Sequence, residues 1–146
     1  MAPYGKVAQV AIAAISRLAE VYEPTRSVRL SSKHISEHRK LSAPLVAKVL
    51  VGLSQAGLVD GVPGPGGGYA LAKSPADIRL IDVAKLFGQR EDQLTCPFGP
   101  EWCGHGPHCP LHEELSAIRD RIEDFLERNT LAAFAAGTVD APRSHH

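Results

Sequence analysis

Aromatic side chains are scarce in this 146-residue chain: they make up 5%, with a single tryptophan, and there is also only one methionine. A core built here must therefore come from aliphatic residues, which lifts the apolar fraction to 44% against 22% charged. That balance is globular and argues against disorder. Long apolar runs are absent. The longest uncharged stretch, Val7 to Ser16, includes Gln9 and is too short to cross a bilayer. No basic-then-apolar leader precedes it, so export is not expected and a reducing, cytoplasmic compartment is. Net charge is also lacking, but by cancellation. Residues 1–73 carry nine Lys/Arg against four Asp/Glu, whereas residues 74–146 carry seven against twelve. A basic half joined to an acidic half suggests two roles, with an anionic partner for the first.

Cysteine is sparse and unevenly placed. All three cysteines lie from Cys96 to Cys109, with six and then five residues between them. An odd, clustered set does not make a disulfide framework. In a reducing compartment it reads as metal ligation or redox chemistry.

The first half has a legible order of elements. Val7, Ala11, Ala14, Ile15, Leu18, Ala19 and Tyr22 recur at helical spacing, predicting a helix from Pro3 to Tyr22 that ends before Pro24. Arg26 to Leu30 reads as a short extended piece. Ser31 or Ser32 can cap a second helix over Lys33 to Arg39. Ser42 caps a third, with Pro44 in its first turn, a buried stripe of Leu45, Val46, Val49, Leu50 and Leu53, and Gly57 as its left-handed stop. Strands are expected over Leu58–Val62 and Tyr69–Ala72, around the loop Pro63-Gly64-Pro65-Gly66-Gly67-Gly68. Three helices followed by a hairpin make a winged helix-turn-helix, so the fold class is mainly α with a small β-hairpin wing.

In that arrangement the third helix enters the major groove of double-stranded DNA and the hairpin tip approaches the backbone or minor groove. Lys33, His34, Arg39 and Lys40 flank the turn and can meet phosphates, while Ser42, Ala43, Ala47 and Lys48 lie toward the exposed side of the third helix. Gly66, Gly67 and Tyr69 complete the candidate contacts, the glycines permitting close backbone approach to a phosphate. For any single lysine, a solvated basic face is the competing reading. The loop lacks the Gly-Lys-Ser/Thr of a nucleotide-binding P-loop. Few residues of the third helix suit bidentate base contacts, so readout rests on few side chains or on DNA shape.

In the second half, Ser74-Pro75-Ala76-Asp77 predicts a turn. Ile81–Phe87 predicts a helix with Leu80, Val83, Ala84 and Phe87 inward. Periodicity then vanishes up to Pro110, in a stretch holding the cysteines, four prolines and the interleaved His105 and His108. A structureless loop of about 20 residues calls for a functional reason. Soft thiolates in one flexible loop select an iron–sulfur cluster or zinc. The two wide gaps suit a cluster, Cys109-Pro110-Leu111-His112 is a zinc-like knuckle, and metal-free redox thiols are the third reading. Leu111, Leu115, Ile118, Ile122, Phe125 and Leu126 then step along a helix of about 17 residues as an a/d-type seam. The seam either packs on its own domain or joins two copies as a homodimer reading paired half-sites. A short helix follows from Asn129-Thr130 to Ala136. The organisation read from sequence is residues 1–88 for DNA binding, 89–110 for the cysteine-rich segment, 111–137 for dimerisation, and 138–146 as a tail with tag-like residues.

These features together resemble the IscR/NsrR family of bacterial winged-helix transcription regulators, from about Val7 to Ala135. The marks are Leu53-Ser54-Gln55-Ala56-Gly57-Leu58-Val59, Gly64-Pro65-Gly66-Gly67-Gly68-Tyr69, Ser74-Pro75-Ala76-Asp77-Ile78, and a three-cysteine loop directly before the long helix. The resemblance implies a homodimer with crossed long helices and an iron–sulfur cluster whose state sets DNA affinity; an enzyme is not expected, since the chain shows no nucleophile paired with a base and no dinucleotide fingerprint. By match to the motif, the resemblance implies Cys96, Cys103 and Cys109 as the thiolate ligands and His112, three residues after the last cysteine, as the favoured fourth, with His105 and His108 as its competitors. The position that supplies an acidic ligand in the nitric-oxide-sensing branch corresponds to Gln9, which has no carboxylate. Where family members often carry an arginine at the start of the wing, this chain has Pro63.

Overall fold

The computed structural model describes residues 5–88 and 110–135. Helix α1 spans Lys6–Glu20 and buries Ala8, Ala11, Ala14, Ile15, Leu18 and Ala19. Its expected start at Pro3 lies outside the described residues. It stops two residues short of Tyr22, because the amides of Val21 and Tyr22 turn back onto the carbonyls of Leu18 and Ala19 as the chain approaches Pro24.

Helix α2 (Ser32–Arg39) begins where the Ser31 hydroxyl accepts the His34 amide at 3.0 Å. Its cap, Lys40, sits in the left-handed region at φ 56°, and Leu41 N–H returns to Ser36 O at 2.8 Å. This closes the turn of the helix-turn-helix. Helix α3 (Ala43–Gln55) starts at Ser42, whose side chain accepts the Leu45 amide, and has Pro44 in its first turn. Val46, Val49, Leu50 and Leu53 are fully buried, while Leu45 is half-buried. The C-terminus closes with Gly57 N–H to Ser54 O and Leu58 N–H to Leu53 O, both 3.0 Å. Gly57 supplies the positive φ of 79° that this stop requires.

The wing is an antiparallel pair, β1 (Val59–Val62) and β2 (Gly68–Leu71), registered from Val59↔Leu71 to Val62↔Gly68. β1 starts one residue later than expected and ends where expected, and β2 is shifted one residue toward the N-terminus. Of the expected extended piece, Leu30 alone joins the sheet, exchanging two backbone hydrogen bonds with Tyr69 at 3.0 and 2.7 Å.

A 3-10 turn at Pro75–Asp77 leads to helix α4 (Leu80–Phe87). The Asp82 carboxylate accepts the Arg79 amide at 3.1 Å and pulls the helix start to Leu80. Helix α5 spans His112–Arg128. The expected final short helix is a 3-10 turn, Leu131–Phe134, with Ala136 outside the described residues. Leu131 is fully buried and its amide donates to Ile78 O at 2.9 Å, while Leu80 donates to Asn129 O at 3.0 Å. The end of α5 is thereby stitched beside the start of α4, and α1, α3 and α4 enclose one continuous aliphatic core.

The seam on α5 divides between two directions. Leu126 is buried and Ile122 packs against the core, whereas Leu111, Ile118 and Phe125 are 44%, 49% and 48% exposed. These three recur every seven residues, so they share one face.

Candidate nucleic-acid interface and cysteine segment

The helix-turn-helix is held by polar braces as well as by its core. Arg39, expected at a phosphate, is turned inward. Its guanidinium donates to Ala13 O (3.3 Å) and Ser16 Oγ (3.0 Å) and pairs with Glu20 at 3.2 Å. With side-chain exposures of 20% and 18%, the Arg39–Glu20 pair ties α2 to α1. Glu20 also receives Arg17 at 3.0 Å, and Arg17 reaches His34 Nε2 at 3.2 Å. The His34 and His38 rings stack with centroids 5.9 Å apart. Desolvation first, then the positive charges of Arg17 and Arg39, hold the His38 imidazole below its ordinary value, with Glu20 pulling the other way.

The other candidates sit as follows. Lys33, His34 and Lys40 are exposed around the turn, and Lys40 projects from its left-handed cap. Ser42, Ala43, Ala47 and Lys48 are exposed on α3, with the Ser42 hydroxyl occupied as a cap. Gly66 is exposed at the wing tip and Pro63 stands at its start. Gly67 and Tyr69 are half-buried. A Cβ on Gly67 would lie 2.0 Å from Val62 O, so the tight crossing of the wing admits no side chain there. The Tyr69 ring lies over Gly61, its partner across the strands.

Sequence reasoning did not single out Arg26, Arg29 and Asp60, which fix the wing to the body. Arg29 donates to Asp60 Oδ2 at 2.7 Å, to Asp60 O at 3.0 Å and to Gly68 O at 3.3 Å. Arg26, at φ 56°, donates to Ala72 O at 3.0 Å and stands 3.6 Å from Asp60 Oδ2. The Arg29 hydrogen bond, aided by the charges of both arginines, holds the Asp60 carboxyl below the usual aspartate range. The available signal was an acid alone in the wing opposite two arginines in the preceding loop.

Cys96, Cys103 and Cys109, with His105 and His108, lie outside the described residues. Of the four expected ligands, His112 is described. It is the first residue of α5 and half-buried, with Nε2 3.4 Å from Ser116 Oγ. It borders an open cleft of about 750 Å3, lined also by Pro110, Glu113, Glu114 and Asp120. Among the described residues, no three His, Cys, Asp or Glu side chains are grouped to hold a metal. Both flanks of the cysteine segment are anchored. On one side the Phe87 ring lies against α3, so close to Gly52 that a Cβ there would be 2.8 Å away. On the other, α5 begins at His112. Among the described residues no helix is long and apolar enough to cross a membrane.

Comparison with known proteins places this arrangement. Residues 5–137 match the Rrf2 family, described as an iron-dependent transcriptional regulator. A putative HTH-type transcriptional regulator of Aquifex aeolicus is 33% identical over 101 residues, covering 68% of this chain and 70% of that protein. The HTH-type transcriptional regulator IscR of Pectobacterium carotovorum is 37% identical over 97 residues, covering 66% of this chain and 58% of its own length. Among solved structures, IscR of T. potens superposes with a TM-score of 0.63 at 26% identity, covering 88% of this chain and 82% of that one. CymR of Staphylococcus aureus superposes at 0.67 and 25% identity, covering 94% and 100%.

Proposed function

The chain belongs to the Rrf2 family of transcriptional regulators, and from that premise we propose that it is a homodimeric switch whose cysteine segment holds an iron–sulfur cluster and sets operator affinity. Regulators of this family bind DNA and are not enzymes, and the winged helix is the part built for it. The observation that carries the finer reading is the position of the three cysteines. They fall between Phe87, seated on the recognition helix α3, and α5, which begins three residues after Cys109. The organisation is therefore residues 1–88 for DNA binding, 89–110 for the sensor, 111–137 for dimerisation, and 138–146 as a tail.

The donor set suits a cluster. Cys96, Cys103 and Cys109 supply soft thiolates, and His112 supplies an imidazole from the first turn of α5. When bound, the cluster supplies a centre whose charge and ligation respond to redox state, nitric oxide or iron–sulfur supply. The chain does the rest. Ligands drawn together constrain the segment between Phe87 and His112, and their release relaxes it. Because α5 carries the dimer face and Phe87 carries α3, the constraint bears on the spacing of two recognition helices. Half-site spacing is geometric, so a small shift changes affinity strongly. Lys33, His34, Lys40 and Lys48, with the wing tip around Gly66, face phosphates and bases, and Ser42 and Ala43 bring the N-terminus of α3 to the duplex. Arg39, Gly67 and Tyr69 position these elements from behind.

The test is anaerobic isolation of the full chain, followed by absorption spectroscopy and iron and acid-labile sulfide analysis, in parallel with Cys103→Ala. Iron and sulfide that disappear with the substitution support the reading. Zinc without sulfide assigns a structural metal instead, and neither metal nor sulfide leaves thiol oxidation as the sensing chemistry.

A further inference from the structure

The reading face of α3 is unusual in what it offers a base pair. Its inner face is fixed by Val46, Val49, Leu50 and Leu53, all fully buried. That leaves Ala43, Pro44, Ala47, Lys48, Val51, Ser54 and Gln55 on the outer side, each exposed, with Val51 at 51%. From Ala43 to Val51, the N-terminal part that enters a groove first, Lys48 is the one exposed polar side chain among four apolar ones, and Ser54 and Gln55 follow only in the last turn. The Ser42 hydroxyl at the N-terminal edge is already accepting the Leu45 amide. Beyond Val51 a cleft of about 370 Å3 separates α3 from the hairpin, lined by Val51, Val62, Pro63 and Tyr69 together with Ser54 and Gln55. Val62 is 43% exposed on the far side of that cleft.

In the major groove, the apolar group a base pair presents is the thymine C5-methyl, and a lysine alone among methyl groups finds its acceptors at guanine O6 and N7. We infer that this protein reads its operator mainly through thymine methyl groups packed on Ala43, Ala47 and Val51, with Lys48 specifying one guanine in each half-site. The inference rests on the DNA-binding reading of α3 and names the sequence chemistry that α3 recognises. It differs from phosphate or shape readout in a testable way, because removing a methyl group from thymine leaves hydrogen-bonding edges and backbone charge unchanged.

The experiment begins with selection from a random-sequence duplex pool, using the full chain both as isolated anaerobically and after metal removal. The enriched half-site is expected to contain thymines next to one G·C pair. Replacing those thymines one at a time by deoxyuridine should weaken binding about fourfold per buried methyl group. The same replacement outside the half-site should change nothing. Lys48→Ala should retain the fold and erase about tenfold discrimination at the single G·C position while leaving the thymine preferences intact. An enriched sequence whose thymines tolerate deoxyuridine without loss overturns the methyl readout and leaves the regulator reading standing. Lys48→Ala with unchanged G·C discrimination overturns the guanine assignment. Enrichment of no sequence in either state overturns this inference and the operator-binding reading together.

Discussion

Helices α3 and α5 are of comparable length, thirteen and seventeen residues, yet they use their apolar residues in opposite ways. In α3 one face is spent entirely on the protein's own core: Val46, Val49, Leu50 and Leu53 are sealed, and a serine cap and a glycine stop define its ends. In α5 Leu126 alone is sealed, and Ile118 and Phe125, with Leu111 at the cap, stand about half exposed on a seven-residue repeat. Leaving three large apolar side chains half in water is unfavourable, and covering the exposed half of each stabilises by about 1 kcal/mol. The core of the winged helix is closed within one chain, whereas α5 leaves an apolar stripe open. In the function proposed above a second copy covers that stripe, since paired half-sites need a twofold reader.

The sharpest way to break this contrast is a charge on the exposed stripe. Ile118→Glu is expected to give a folded monomer by sedimentation and to weaken operator binding by about a hundredfold or more, as two half-sites cease to be engaged together. Unchanged dimerisation would remove α5 from the interface. The next effect separates neighbours on α3. Leu50→Ala should cost about 3 kcal/mol of unfolding free energy for the cavity it leaves, whereas Val51→Ala should change stability by less than about 0.5 kcal/mol, both read by denaturant melts.

A smaller pair of effects separates Arg39 from Lys40. Arg39→Ala removes the brace to Glu20, Ser16 and Ala13 and should cost about 1–2 kcal/mol of stability. Lys40→Gly relieves a left-handed lysine and should raise stability by about 1 kcal/mol, yet weaken DNA binding and lower the salt slope by about one contact. The smallest effect is acidic. Asp60 is held below the ordinary aspartate value by Arg29 and Arg26, so its stabilising contribution is complete above about pH 3.9 and is lost as pH falls through the lower folded value. Asp60→Asn should abolish that part of the acid limb in a pH titration of the melting temperature.

Local chemistry was the legible part of the sequence. Ser42, Pro44 and Gly57 announce α3 because caps and stops depend on residues within a turn of one another. The repeat on α5 was readable as a helix, but its division into a core-facing Leu126 and an outward Ile118 depends on where α4 lies, which no window of sequence contains. The same holds for the stitching of Leu131 to Ile78, and for Arg39, whose partners lie 26 and 23 residues away on α1. A basic residue beside a helix-turn-helix reads as a phosphate contact until Ser16 and Glu20 are brought beneath it. Of the expected ligand set, His112 at the start of α5 is described. For the three cysteines, spacing and their place between two anchored elements carry the account.

The most direct measurement of the central claim is an anaerobic titration of one selected operator duplex with the same preparation before and after cluster removal, at fixed salt. The account predicts that both forms are dimers and that their affinities differ by at least about tenfold, which corresponds to about 1.4 kcal/mol of coupling between cysteine ligation and helix spacing. Equal affinities of the two dimeric forms on every selected operator would contradict it.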